Sequence, residues 1–223
     1  MTTFADLSLI ETRVLGVLVE KQHTVPDTYP LTLLALTAGC NQKTSRDPVL
    51  NLTDSEVQAA IDRLKMLTLV VESSGGRVMR YAQNVGRVLT IPTQAVALLA
   101  VLMLRGPQTI GELRINCDRL HRFADTSAVE AFMHELAARP AGPLVALLAR
   151  QPGEREARWA HLLSGAPPAD SSTHRVAGEA GSDAVGPTSV VALEARIADL
   201  ADEVEALKAT VAKLAAALGE SAS

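Results

Sequence analysis

The sequence predicts a mainly α chain with small β-wings, an α+β body of two like units followed by a coiled-coil helix. Three observations carry this reading. Capping boxes open helical patterns that run into paired strand-like runs. The same order of elements occurs twice, with landmarks 77 or 78 residues apart: Cys40 and Cys117, Arg77 and Arg155, Tyr81 and Trp159. A strict seven-residue apolar repeat fills the C-terminal stretch.

The stretch from Cys40 to Ala82 shows the first unit most clearly. Thr53 with Glu56 is a capping box, in which each side chain satisfies a backbone N–H left free at a helix start. Val57, Ala60, Ile61 and Leu64 then recur at three and four, so one face is buried. Val70-Val71 and Val78 to Ala82, joined at Gly75-Gly76, read as a hairpin. Upstream, Ser8 with Glu11 opens a helix whose stripe is Ile10, Val14, Leu15, Leu18 and Val19 and which ends near Lys21. QHTVPDTYP is a loop broken by Pro26 and Pro30, and Leu31 to Gly39 is a short buried helix.

The second unit follows the same plan. Pro92 stands in the first turn of an apolar helix spanning Ala95 to Met103. Thr109 with Glu112 opens a helix ending at Cys117, and Ser127 with Glu130 opens another through Phe132, Met133 and Leu136. LVALLAR and ARWAHLL flank QPGERE as a second hairpin. Three helices and a hairpin in each unit are the order of a winged helix-turn-helix. Residues 1–87 and 88–163 are therefore expected as two tandem winged-helix domains, an internal duplication.

Residues 164–189 contain 12 Gly, Pro or Ser and little that can be buried, so they are expected to be a flexible linker. In residues 190–219, Val190, Ile197, Val204, Val211 and Leu218 are seven apart, with Leu193, Leu200, Leu207 and Leu214 between them. Mainly β-branched residues at a and leucine at d favour a parallel pair of helices, hence a homodimer.

Charge and chemistry bound the task. The formal net charge is −4, with 17 basic and 16 acidic side chains up to Leu163 and the acidic excess beyond it. Two cysteines make no disulfide framework. No signal peptide or membrane span is evident, so a cytoplasmic protein is expected. The five histidines share no metal-ligand spacing, and no CxxC, HExxH, phosphate loop or nucleophile elbow occurs. No catalytic residue, cofactor or metal is expected, and the chain is not read as an enzyme.

Several stretches resemble the YceH family of uncharacterised bacterial proteins. They are VEKQ at Val19 to Gln22, CNQKTSRDPV at Cys40 to Val49, LRGPQTIGELR at Leu104 to Arg114 and the segment from Gly142 to Gly165. The resemblance covers roughly Leu7 to Gly165. It implies tandem winged helices and brings no activity with it.

Double-stranded DNA is the first expected partner, read by the third helix of each unit with the wing on the backbone. Lys43 and Arg46 precede the third helix of unit one, Gln58 lies on it, and Arg77 and Arg80 lie on its wing. Arg114, Arg119 and Arg122 precede the third helix of unit two, with Arg155 and Arg158 on its wing. Against this, residues 53–66 carry Asp54, Glu56 and Asp62 against Arg63 and Lys65, and residues 125–139 carry Asp125, Glu130 and Glu135 against Arg139. Carboxylates facing phosphates repel, so the alternative is a protein-interaction scaffold without direct DNA contact.

Overall fold

The computed structural model describes residues 7–74, 78–150 and 153–165. Met1–His174 form one compact unit, and a second unit comprises Arg175–Ser223. The expected linker beyond Gly165, all nine residues of the expected heptad from Val190 to Leu218, and Arg77 lie outside the described residues.

The body is a mixed α+β fold of helices and small antiparallel sheets. Its first helix, α1 (Leu9–Thr24), opens with the expected box: Glu11 N–H donates to Ser8 Oγ at 3.2 Å, and Ser8 N–H to Glu11 Oε2 at 2.8 Å. The helix outruns its expected end near Lys21 by a turn, because no breaker occurs before Pro26. It is not a one-sided surface helix. Every residue from Glu11 to Val19 is buried, so α1 runs through the interior.

The segment expected as one helix divides. Leu31–Thr32 is a short strand, β1, and Leu33–Cys40 is α2. Thr32 belongs to both, since its side chain accepts from Ala35 N–H at 3.3 Å and caps α2. A polar loop leads to α3 (Asp54–Met66), and Asn41 pins it by accepting from Leu52 N–H at 2.7 Å and donating to Leu52 C=O at 2.8 Å. Helix α3 has the expected Thr53–Glu56 box and buries Val57, Ala60, Ile61 and Leu64. Strands β2 (Val70–Ser74) and β3 (Met79–Gln83) pair with Glu72 opposite Tyr81, and β1 adds on the other side of β3 with Leu31 opposite Tyr81.

A short helix that the periodicity does not reveal, α4 (Val85–Leu89), leads to α5 (Thr93–Arg105), which is buried from Ala95 to Leu104. Pro92 is the residue before that helix rather than its first. Helix α6 (Ile110–Cys117) has the expected Thr109–Glu112 box. Helix α7 (Thr126–Ala137) starts one residue before Ser127, and Asp125 caps it by accepting from Ala128 N–H at 2.8 Å. Ser127 already lies inside the first turn, so the Ser127–Glu130 box does not form. Strands β4 (Val145–Leu147) and β5 (Trp159–His161) make the second hairpin, with Leu147 opposite Trp159.

The two halves run parallel in detail. Each has an eight-residue second helix ending in a fully buried cysteine, Cys40 in α2 and Cys117 in α6. Each ends in a hairpin carrying one buried aromatic, Tyr81 or Trp159. They share one apolar cluster, with α1 packed on α2, α3, β3 and α5, and α5 packed on α6, α7 and β5. The helices α1 and α5 approach at Gly16, where a Cβ would stand 2.9 Å from Leu104 Cγ. Helices α1 and α2 approach at Gly39, where a Cβ would meet Val17 Cγ1 at 2.6 Å. Leu7 N–H donates to Leu163 C=O at 2.9 Å and closes the body.

Candidate interface surfaces

Among the described residues, the basic side chains expected to face phosphates fall into two groups, one engaged inside the body and one exposed. Arg46 is the most deeply engaged. Its side chain is 0% exposed, and its guanidinium meets Glu20 Oε2 at 2.5 Å. It also donates to Gly39 C=O at 3.2 Å, Ser45 C=O at 2.9 Å and Gln42 Oε1 at 2.9 Å. A second buried guanidinium lies nearby: Arg13 donates to Cys40 C=O at 3.1 Å and to Pro48 C=O at 2.6 Å. Burial, then the nearby Arg46 charge, lowers the Arg13 pKa. Together the two arginines hold the loop after α2 onto α1, and this is structural work.

On β3, Arg80 donates to Thr28 C=O at 3.2 Å and Pro30 C=O at 2.8 Å, fastening the loop before β1. Arg158 bridges Glu112 at 2.6 Å and Glu154 at 2.9 Å and reaches Pro107 C=O at 3.2 Å. Gln58 accepts from Tyr81 OH at 3.1 Å and donates to Asp62 Oδ1 at 3.0 Å, so both ends of its amide are used. Arg122 is exposed and pairs with Asp118 at 3.1 Å, and exposed Arg114 donates to Ala124 C=O at 3.3 Å. Lys43, Arg119 and Arg155 are exposed.

The outward faces of the third helices are acidic. Helix α3 exposes Asp54, Glu56 and Asp62, and its two cations are paired, Arg63 with Glu11 at 3.0 Å and Lys65 with Glu72. Helix α7 exposes Glu130, His134 and Glu135. The hydrogen bonds from Thr53 lower the Glu56 pKa, which keeps that charge in place.

Beside α7 the second half opens a cavity of about 410 Å3. Ile110, Leu147 and Trp159 line its apolar part, and Glu130, His134 and Glu156 its polar part. The His134 ring meets Trp159 edge-on, with centroids 5.3 Å apart, and its Nε2 lies 3.8 Å from Glu130 Oε1. The sequence carried one hint of this site, the i, i+4 pair Glu130 and His134 on a helix face.

Neither thiol is set up as a nucleophile. Burial pushes both Cys40 and Cys117 up to about 12, so each stays neutral near pH 7. Among the described residues there is no group of three or more His, Cys, Asp and Glu that could hold a metal ion, and no helix long and apolar enough to cross a membrane.

These features define a helix-rich α+β body whose cations brace its loops and whose third helices present carboxylates. The chain belongs to the family described as "Protein of unknown function, DUF480", matched over residues 7–154, in agreement with the resemblance read from its motifs. It is similar to a UPF0502 protein of Burkholderia multivorans, 58% identical over 216 residues, 96% of this chain and 90% of that one. UPF0502 proteins of Burkholderia orbicola and Burkholderia vietnamiensis are 57% and 56% identical, with the same coverage. That similarity extends past Gly165, beyond the stretch that carries the motif resemblance.

Arg46→Ala tests the structural assignment of the most basic loop. Removing one partner of a buried ion pair leaves a carboxylate, Glu20, short of its main donor. The expected loss is about 3 kcal/mol in urea unfolding. A residue kept for a surface contact would change stability by less than about 0.5 kcal/mol, and that result would reverse the assignment.

Proposed function

We propose that this protein is a protein-docking module: two tandem winged helices on one core, paired into a homodimer by the C-terminal heptad helix. The single observation that supports docking over DNA reading is the acidity of α3 and α7 where a duplex reader needs donors and cations. In a winged helix the third helix enters the major groove. Here that helix would bring Asp54, Glu56 and Asp62 toward phosphates, while Arg46, Arg80 and Arg158 are bonded within the body.

The competing reading, a dimeric DNA-binding regulator, has its own observation: Lys43, Arg119 and Arg155 are exposed. A duplex-binding protein that neutralises several phosphates loses affinity steeply as salt rises. The full-length protein should therefore leave mixed genomic DNA unretarded in a gel shift at about 50 mM salt. Retention there that disappears as salt rises would overturn the docking reading in favour of DNA.

The dimer rests on the heptad, with leucine at Leu193, Leu200, Leu207 and Leu214. Leu207→Lys would place two like charges opposite each other in an apolar layer. Sedimentation should show a wild-type dimer and a monomeric, folded variant. A wild-type monomer at tens of micromolar, or a variant that stays dimeric, would refute the heptad as the dimerising element.

A further inference from the structure

The two halves place equivalent residues around the groove between third helix and hairpin, and they treat that groove differently. Counting from the cap, Gln58 and Glu130 are each the fifth residue, Asp62 and His134 the ninth, and Lys65 and Ala137 the twelfth. Counting across the hairpins, Glu72 faces Tyr81 and Leu147 faces Trp159. In the first half the groove is closed by its own side chains. Tyr81 OH donates to Gln58, Gln58 donates to Asp62, and Lys65 pairs with Glu72.

In the second half the helix pair persists as Glu130 with His134 at 3.8 Å, but the other two closing pairs are dissolved by substitution. Trp159 has no hydroxyl with which to reach Glu130. Alanine at 137 and leucine at 147 stand where the first half has its ion pair. What remains is the cavity of about 410 Å3, apolar at Leu147 and Trp159 and acidic at Glu130 and Glu156. That volume is within the range of sites that take a small ligand or a side chain.

The adjoining strand edge points to an extended chain. Leu162 N–H donates to Leu144 C=O and Leu148 N–H to Arg158 C=O, both at 2.8 Å. In an antiparallel pair, alternate residues bond to the partner strand. Leu147 therefore turns its N–H and C=O away from β5, and among the described residues no strand pairs with β4 on that side. Leu147 is 53% exposed. A peptide laid along β4 would pair with it and pass over the cavity, the strand-addition mode of recognition.

We propose that the groove between α7 and the β4–β5 hairpin binds an extended peptide of a protein partner and takes one arginine or lysine side chain into its cavity. The aliphatic stem lies against Leu147 and Trp159, and the cationic head reaches Glu130 and Glu156. The first half cannot do this, because Lys65 already occupies the corresponding place beside Glu72. This inference rests on the protein-docking reading and sharpens it to one site and one partner chemistry.

The test is calorimetric titration of the full-length protein, with emission of its single tryptophan, Trp159, reporting the place of binding. The probes are a short capped peptide of alternating threonine and valine with a central arginine, the same peptide with central glutamate, and capped arginine amide alone. The arginine peptide should saturate and perturb Trp159, and the glutamate peptide should not bind. The isosteric double variant Glu130→Gln, Glu156→Gln should weaken the arginine peptide by roughly fivefold, the effect of two partly exposed charges. No binding of the arginine peptide, or equal binding to the double variant, would overturn the site. Arginine amide binding as tightly as the peptide would overturn the peptide as its occupant. None of these outcomes depends on the DNA gel shift, so failure of this pocket is distinguishable from failure of the docking reading.

Discussion

The contact between α1 and α5 at Gly16 is the constraint on which the rest of the body depends. A side chain there would collide with Leu104 at 2.9 Å, so the two helices lie closer than any larger residue permits. Close approach goes with a continuous buried stretch in each helix, Glu11 to Val19 in α1 and Ala95 to Leu104 in α5. Each half then hangs from one of these helices, α2, α3 and β3 on α1, and α6, α7 and β5 on α5. Burial of this much aliphatic surface, at roughly 25 cal/mol per Å2, is the main favourable term holding the halves as one unit.

Such a buried helix carries its polar residues into the interior, and they must find partners there. Arg13 lies on the buried stretch of α1 and is 0% exposed. A desolvated guanidinium is strongly unfavourable unless it is hydrogen-bonded. The carbonyls of Cys40, at the end of α2, and Pro48, in the loop that follows, meet its two terminal nitrogens. Its buried Nε has no hydrogen-bond partner among the described residues. Arg46 with Glu20 fastens the same loop from the other side. The functional consequence is a redistribution of charge. Of the cations that the sequence spaces like a nucleic-acid surface, Arg46, Arg80 and Arg158 hold loops together, while Lys43, Arg119 and Arg155 stay exposed, as do the carboxylates of α3 and α7.

What was legible in the sequence was local. The Ser8–Glu11, Thr53–Glu56 and Thr109–Glu112 boxes form as the spacing required, because a cap involves residues three apart. The buried face of α3 follows from its period alone. What was not legible depended on partners distant in the chain. Strand β1 is two residues long and exists only because β3 lies beside it, about fifty residues later. Arg46 meets a glutamate 26 residues earlier, and no pattern in CNQKTSRDPV announces that. At α7 the cap is Asp125, an extended residue with a carboxylate two positions before the expected Ser127. Beyond the i, i+4 pair Glu130 and His134, the groove of the second half is legible only by comparing the halves, since it opens where the first half has closing side chains and the second lacks them.

One core, closed at Gly16, should make the two halves unfold as a single cooperative body. The chain carries its own labels for this, since both tyrosines, Tyr29 and Tyr81, lie in the first half and Trp159 alone reports the second. The direct measurement is urea unfolding followed at once by tyrosine near-ultraviolet circular dichroism and by Trp159 emission. One shared core predicts a single midpoint and a single slope from the two signals. Two separated midpoints, with one half melting while the other stays folded, would contradict it.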